Sequence, residues 1–557
     1  FKKYFLSDGI LYVDVVGKTT RFVKHNDKEF VNDSFVKFCE ERKITINVDK
    51  YRMTKTNTDA SFMSISKYNR PEPTVNEDSF TEAAEWLHKH FKMHMCNATV
   101  LPVDEVLVEM DKQTTNGFPW NLVLTGKSNK KSVFLENENY TKIFDIYWSE
   151  LLKEDRYVPI WTCSQKYELR PLEKLRENKI RTFTASPIEL TVVGNRLFLD
   201  MNEKFYNAVH DTWSCVGITK YCGEWDRLYR RLDKHPHAFA LDESDYDASV
   251  FKKLLFAVRD FRKRMYPSYT ETEFATRQRI DEFYKDVVDS VIVLETGEII
   301  RKHIGNPSGC PNTVVDNTLA LFLLLAYAWC ELVRLRYEKQ ESNSRRFYPP
   351  NYEQFMSNVE AALYGDDNTF TVSDDVVAWF NAETVIEIWA TIGIKTKTDD
   401  VKPRKLIDTD FLSQKFIYDK SLEMVLPYPD TEKVLGSLKY GATCDDIRYH
   451  LLRAHALRMD SWPNITCRNI INDYIMWVEE NYKDQLVGEL SLKNGDVTIP
   501  ISTIKNMEKS DNYLSTLYTG YEGVTDGQNA RAKEDVSTLI KDSEIYKLHG
   551  TVLKNFN

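Results

Sequence analysis

The sequence predicts a mixed α/β (α+β) protein of two or three subdomains, or one large multi-lobed unit, and three observations lead there. The chain is 557 residues long with 42% hydrophobic and 13% aromatic content, enough for a large folded core. Its pattern changes texture twice, from mixed elements to dense strand–turn–helix alternation at 238–420 and then to helices. Two short β-like runs, Val359–Leu363 and Asn368–Val372, bracket Tyr364-Gly365-Asp366-Asp367, which predicts an antiparallel hairpin with acids at its tip.

Along the chain, residues 1–60 alternate strand-like runs such as Ile10–Val16 with polar breaks. Residues 78–95 and 138–153 read as amphipathic helices around the turn-rich Thr114–Trp120. A basic stretch follows, with Lys166, Arg170, Lys174, Arg176, Lys179 and Arg181 against Glu168, Glu173 and Glu177. The run His237–Leu241 is a strand ending in Asp242, and a helix is expected from Ala248 to about Met265. A Gly/Pro loop, Gly305–Pro311, precedes a helix from Asn312 through Cys330. Helices are expected at Asp445–Met459 and Asn469–Tyr482, and the polar segment from about 492 carries spaced rings at Tyr513, Tyr518, Tyr521 and Tyr546.

A net charge of −10 counts against a protein coated by nucleic acid. The local excess at 166–181 instead suggests a basic channel inside an acidic exterior. A second cluster, Lys252, Lys253, Arg259, Arg262, Lys263 and Arg264, fits such a channel or a solvated helix face equally well. The nine cysteines are scattered without a C-x-x-C pair, which argues for a reducing compartment. The longest apolar run, Leu319–Cys330, is too short to span a bilayer, and no signal sequence opens the chain, so a cytosolic location is expected.

Adjacent carboxylates on a tight turn repel each other and pack poorly. Divalent cations would offset that repulsion, and hard oxygen ligands suit Mg²⁺ or Mn²⁺. A two-metal phosphoryl transfer needs a further carboxylate from another strand, for which Asp242 is the obvious donor. Asp247 reads in isolation as a helix N-cap. Thr313 and Asn317, four residues apart on one helix face, are groups suited to a ribose 2′-hydroxyl or, equally, to solvent.

The order Asp242-x4-Asp247, Ser308-Gly309-x3-Thr313-x3-Asn317 and Tyr364–Asp367 resembles the palm of positive-strand RNA virus RNA-dependent RNA polymerases. The picornavirus-like supergroup is nearest, and Gly305–Gly309 and Thr313–Asn317 are similar to astrovirus and potyvirus polymerases. Lys166–Arg170, Lys174 and Lys179–Arg181 resemble the fingers motif that grips the incoming triphosphate. Gly117, Phe118 and Pro119 resemble the fingers element where template enters, and Phe411, Leu412 and Ser413 the primer-grip hairpin.

The resemblance implies a right hand: fingers at 1–235 with an N-terminal segment reaching the thumb, palm at 236–265 and 301–420, a fingers insertion at 266–300, and thumb plus extension at 421–557. It implies template-directed RNA synthesis from rNTPs with Mg²⁺, for which Mn²⁺ can substitute. Asp242 and Asp366 would bind both ions, with Asp367 supporting. Lys166, Arg170, Lys174 and Arg181 would hold the triphosphate. Asp247, Thr313 and Asn317 would check the sugar, beside the Ser308-Gly309 loop. The general acid is expected among Lys395, Lys397 and Lys402, with Lys402 preferred for the acidic Asp399-Asp400 before it, and the role of Asp245 is open. The implied partners are RNA template, primer–product duplex and other viral replication proteins, at membrane-associated complexes in the host cytoplasm, without a transmembrane segment of the chain's own. A reverse transcriptase would lack the 305–317 signature, and a non-catalytic relic should have lost a metal carboxylate.

Overall fold

The computed structural model describes residues 2–5, 11–19, 29–110, 112, 114–124, 131–267, 271–338, 350–398, 401–492, 497–508 and 510–520. Its axis is the helix Thr313–Glu338, in which every residue from Val315 to Glu331 is buried. A helix that is apolar all round must be covered all round. It is packed by the helices Glu77–Met95, Lys252–Arg264 and Ala382–Thr391 and by the strand Val359–Tyr364. The helix runs past the apolar stretch because Arg334 pairs with Glu331 and Glu338 along one face. It is therefore long and apolar enough to cross a bilayer, contrary to the expectation from its apolar run. However, 83% of its most apolar window lies inside the protein, as a core helix would.

The acid hairpin forms as expected. Val359–Tyr364 and Asp367–Val372 pair antiparallel, and His237–Asp242 pairs with the other edge of Asp367–Val372. Phe239 and Phe370 face each other across that pairing with ring centroids 5.4 Å apart. The sheet is covered on both faces: Phe239, Leu363 and Phe370 join the core of the long helix, while Ala238 and Ala362 pack with Trp225, Leu406 and Phe416.

A second sheet orders its strands Asp14–Lys18, Glu298–Arg301, Val291–Val293, Ile160–Gln165 and Thr182–Ala185. The basic stretch is the excursion between the last two of these. Beyond it, helices Thr431–Tyr440, Ile447–Asp460 and Ile465–Asn481 share a core with Phe35 and Phe38 of the helix Asp33–Glu41. Tyr474 clamps that N-terminal helix: the Asn32 amide donates to its hydroxyl at 3.0 Å.

The expected helix from Ala248 to Met265 is broken into Tyr246–Ser249 and Lys252–Arg264. The carbonyls a continuous helix would use are taken by the Gly/Pro loop, because Asp247 O accepts from the Asn306 N–H and Val250 O from the Gly305 N–H. Near the C-terminal end, Glu489–Leu492 and Val497–Pro500 form a strand pair and Asp511–Thr519 a helix. Tyr518 is buried against Tyr221 and Trp462, and its hydroxyl donates to Met459 O at 2.9 Å. Tyr513 is exposed. Tyr521 and Tyr546 lie outside the described residues.

Candidate active site

Strand pairing alone brings the three acids together. Asp367 sits opposite Asp242 on adjacent strands, and Asp366 occupies the turn one residue before it. Gly365 takes φ +62°, the left-handed region that glycine enters at little cost, and its N–H donates to Thr318 Oγ1 of the long helix at 2.8 Å. The Asp242 main chain is fixed on its other side: its N–H donates to Thr398 Oγ1 at 3.1 Å, and its carbonyl accepts from the Lys397 N–H at 2.7 Å.

Electrostatics mark this floor as unsatisfied. Burial, with the charges of Asp247 and Asp242 added and Arg181 opposing, raises the Asp366 carboxyl above its ordinary range. Burial and the charges of Asp366, Asp410 and Asp242 push Asp367 up to about 7, although the Leu412 N–H donates to its Oδ2 at 2.8 Å. Behind them, buried Glu243 accepts from the Asn368 amide at 3.0 Å, and burial pushes its carboxyl up to about 8. Sequence reading missed Glu243 and Asn368; a buried acid one residue past a strand end is a weak signal without its partner.

Asp247 is not an N-cap. Its Oδ1 accepts from the Asn317 amide at 3.0 Å, joining the short helix to the long one. Tyr246 reinforces the junction by donating to Asn317 O at 3.0 Å. Thr313 lies on the same side, but its hydroxyl donates to Pro307 O at 2.7 Å, so it also braces the loop. Ser308 Oγ accepts from the Thr184 N–H at 3.2 Å, and Gly309 lies so close that a Cβ there would meet Thr184 O at 2.2 Å. Asp245, whose role the sequence left open, has φ +51°, and its carbonyl accepts from the Ala248 and Ser249 N–H groups. It starts the short helix in a conformation that aspartate tolerates.

The basic stretch is organised by a residue that the sequence counted only as a local offset. Glu168 is buried and accepts two bonds from Arg181, from Nε at 2.7 Å and Nη2 at 2.5 Å, with Arg170 at 3.6 Å. The Glu168 bond holds the Arg181 guanidinium above its ordinary pKa, with the charges of Asp366 and Asp247 adding to it. Burial lowers Lys166, and Arg181 adds to that. A cavity of about 630 Å³ is lined by Lys166, Glu168 and Arg181 on one side and by Leu412, Ser413 and Asp460 on another. Lys174 lies on the turn Leu172–Arg176, where its carbonyl accepts from the Lys179 N–H.

Leu412 and Ser413 form the turn between Asp410–Phe411 and Gln414–Asp419 with φ +52° and +57°. A leucine in that region is strained, and the Asp367 carboxylate holds it there. Phe411 is buried beneath the turn. Gly117 packs on the start of the helix Ile188–Asn207, where a Cβ would meet Pro187 Cα at 2.8 Å, and Phe118 and Pro119 are half-buried beside it. The Lys397 backbone adjoins Asp242, whereas Lys402 lies two residues before Arg404, which pairs with Ala238 near the start of the strand, at the opposite end from Asp242. Asp399 and Asp400 lie outside the described residues. The second basic cluster is engaged in ion pairs: Lys252 with Asp289, Lys253 with Glu77, Lys263 with Asp281 and Arg264 with Glu85, while Arg262 is buried against Asp316.

Among the described residues, no three His, Cys, Asp or Glu side chains close into a metal cage. The aspartates form an open, mutually repelling set, which suits a hard cation that shares its coordination with substrate phosphates.

An acid pair on adjacent strands, an asparagine amide bonded to Asp247 and a basic wall thus lie together in this part of the molecule. A family model described as viral RNA-dependent RNA polymerase matches residues 36–459, and the chain belongs to that family. It is 27% identical over 467 residues to the genome polyprotein 1 of Barley mild mosaic virus (strain Na1), covering 82% of this chain and 19% of that protein. It is 27% identical over 436 residues to the genome polyprotein of Watermelon mosaic virus II (isolate USA), covering 77% of this chain and 39% of that protein. The chain thus spans well under half the length of these relatives. The fold is that of the Sicinivirus 3Dpol RNA dependent RNA polymerase, with a TM-score of 0.66 at 15% identity over 91% of this chain and all of that one. The architecture is the right-hand polymerase fold, and the chain is an RNA-directed RNA polymerase by family.

Proposed function

We propose that this chain extends an RNA primer on an RNA template with ribonucleoside triphosphates, copying a viral genome beside other products of the polyprotein that its relatives suggest. The observation that carries the reading is the convergence of Asp242, Asp366 and Asp367 on adjacent strands, facing Arg181 and Lys166. Asp242 and Asp366 would hold Mg²⁺ or Mn²⁺, with Asp367 supporting while it braces the Leu412 turn. The ions would supply a more acidic primer 3′-hydroxyl and neutralise charge on the departing pyrophosphate.

The chain's own groups position and neutralise, which is most of what phosphoryl transfer needs. Arg181, oriented by Glu168, presents its guanidinium to the triphosphate with Lys166 and Arg170, and Lys174 extends that wall. Asp247 and Asn317 read the 2′-hydroxyl, while Thr313, Ser308 and Gly309 hold the loop beneath it. Gly117–Pro119 guide the template, and Leu412-Ser413 lie under the primer terminus. A lysine after Gly393 donates the proton to pyrophosphate; Lys402 stays assigned, and Lys397 is its nearest competitor by backbone position. The fingers comprise 1–235 and 266–300, the palm 236–265 and 301–420, and the thumb with its extension 421–557. The packing of Phe35 and Phe38 into the 431–507 core supports the N-terminal bridge to the thumb.

The test is extension of a labelled primer–template by purified protein with Mg²⁺, comparing rNTPs with dNTPs and RNA with DNA templates. RNA-templated incorporation of rNTPs that EDTA abolishes is expected. Equal use of dNTPs would return the reverse-transcriptase reading.

A further inference from the structure

The loop Gly305–Gly309 supplies a side chain, Asn306, to which the sequence assigned no role of its own. Asn306 is fully buried, and its Nδ2 donates to Asn317 Oδ1 at 2.9 Å, directly behind the Asn317–Asp247 bond. The main chain of Gly305 and Asn306 is fixed at three points. The Gly305 N–H donates to Val250 O at 3.0 Å, the Asn306 N–H to Asp247 O at 2.7 Å, and the buried Lys302 ammonium to Gly305 O at 2.7 Å.

The three side chains form a directional series. An ionised carboxylate only accepts hydrogen bonds, so Asp247 requires Asn317 to turn its NH₂ toward it. The Asn317 carbonyl oxygen then points at Asn306, which must answer with an N–H. Without that donor, Asn317 Oδ1 is a buried acceptor lacking its partner. The terminal torsion of an asparagine is broad and roughly two-fold, so the Asp247 bond alone is then left to hold the amide in place. Packing does not explain Asn306, because its own Oδ1 is buried without a partner among the described residues. A leucine would fill similar space without that unpaired oxygen.

We infer that Asn306 is a positioning residue for sugar specificity, holding the Asn317 amide in the one orientation that lets Asp247 and Asn317 meet the ribose 2′-hydroxyl together. In that orientation the second Asn317 N–H and the second Asp247 oxygen have no hydrogen bond among the described residues, leaving one donor and one acceptor for the same hydroxyl. The inference rests on the proposed reading of that hydroxyl by Asp247 and Asn317.

The experiment measures kcat/KM for an rNTP, its 2′-deoxy analogue and its 3′-deoxy analogue, which keeps the 2′-hydroxyl. The proteins are wild type, Asn306→Leu, Asn306→Asp, Asn317→Ala and the double Asn306→Leu/Asn317→Ala. Asn306→Leu is expected to lower the ribo/2′-deoxy ratio about tenfold while leaving the ribo/3′-deoxy ratio unchanged. Asn306→Asp, nearly isosteric, should lower it at least as far, since two carboxylates then compete for one amide NH₂. The leucine change should add nothing in the Asn317→Ala background. A disturbance of the loop alone would lower all three substrates together and leave the ratios fixed. Wild-type ratios in both Asn306 variants, with a reduced ratio in Asn317→Ala, would overturn the inference and leave the underlying reading intact. An unchanged ratio in Asn317→Ala would remove both. Should Asn306→Leu melt early, the aspartate variant decides.

Discussion

Asp366 and Asp316 are both aspartates within reach of the long core helix, and they live in opposite circumstances. Asp316 is wholly buried, accepts from Arg262 Nε at 2.8 Å and from the Tyr284 hydroxyl at 2.8 Å, and thereby ties three helices together. The Arg262 guanidinium is itself fully buried and donates onward to Asn202 at 3.0 Å. Asp366 feels the like charges of Asp247 and Asp242, opposed by the Arg181 guanidinium. The satisfied acid builds the scaffold, whereas acids left facing like charge are what a site for a cationic ligand would present. A charge that is costly to the folded state and has no packing role is the stronger pointer to function.

The sharpest way to break this contrast is to neutralise the floor. Asp366→Asn and Asp242→Asn should each reduce single-nucleotide incorporation on the order of a thousandfold or more. Their melting temperatures should stay level or rise, since repulsion is relieved. Near-normal incorporation by either would remove the two-carboxylate assignment.

The converse holds for the core pair. Asp316→Ala leaves a buried guanidinium uncompensated and should cost about 3–5 kcal/mol in urea unfolding. An Arg262→Met/Asp316→Leu double variant should recover most of that loss. Equal stability of Asp316→Ala and wild type would erase the distinction drawn here.

The two basic segments sharpen the same comparison on a smaller scale. Arg181→Ala should raise the KM for rNTPs roughly tenfold, and Glu168→Gln several-fold, because the guanidinium loses its bidentate partner. Lys253→Ala with Arg264→Ala should leave that KM within about twofold of wild type, as exposed ion pairs contribute little. A comparable KM rise in the outer-helix variant would show that the second cluster also serves the substrate.

Much of the site could be read along the chain. The hairpin, the acid-terminated strand, the Gly/Pro loop and the basic stretch are local patterns, and their residue types carry chemistry wherever they fold. What reading along the chain could not supply is partnership between distant segments. Glu168 counted as one acid against a basic run, yet it is the residue that aims Arg181. The helix after Asp247 looked continuous, yet the loop near 305 takes its carbonyls. Lys252–Arg264 and Lys166–Arg181 looked alike in charge, and only their neighbours separate them.

The sequence by itself determined the periodicities, the turn residues and the identity of the acids, because these depend on side chains a few positions apart. The tertiary structure alone decided which charges are compensated, which asparagine orients which, and which acids are left facing one another. Those outcomes are set by desolvation and by hydrogen-bond direction between segments separated by tens to hundreds of residues. The Asn306–Asn317–Asp247 series shows the difference: each residue type was legible, but its direction exists only once three backbone segments meet.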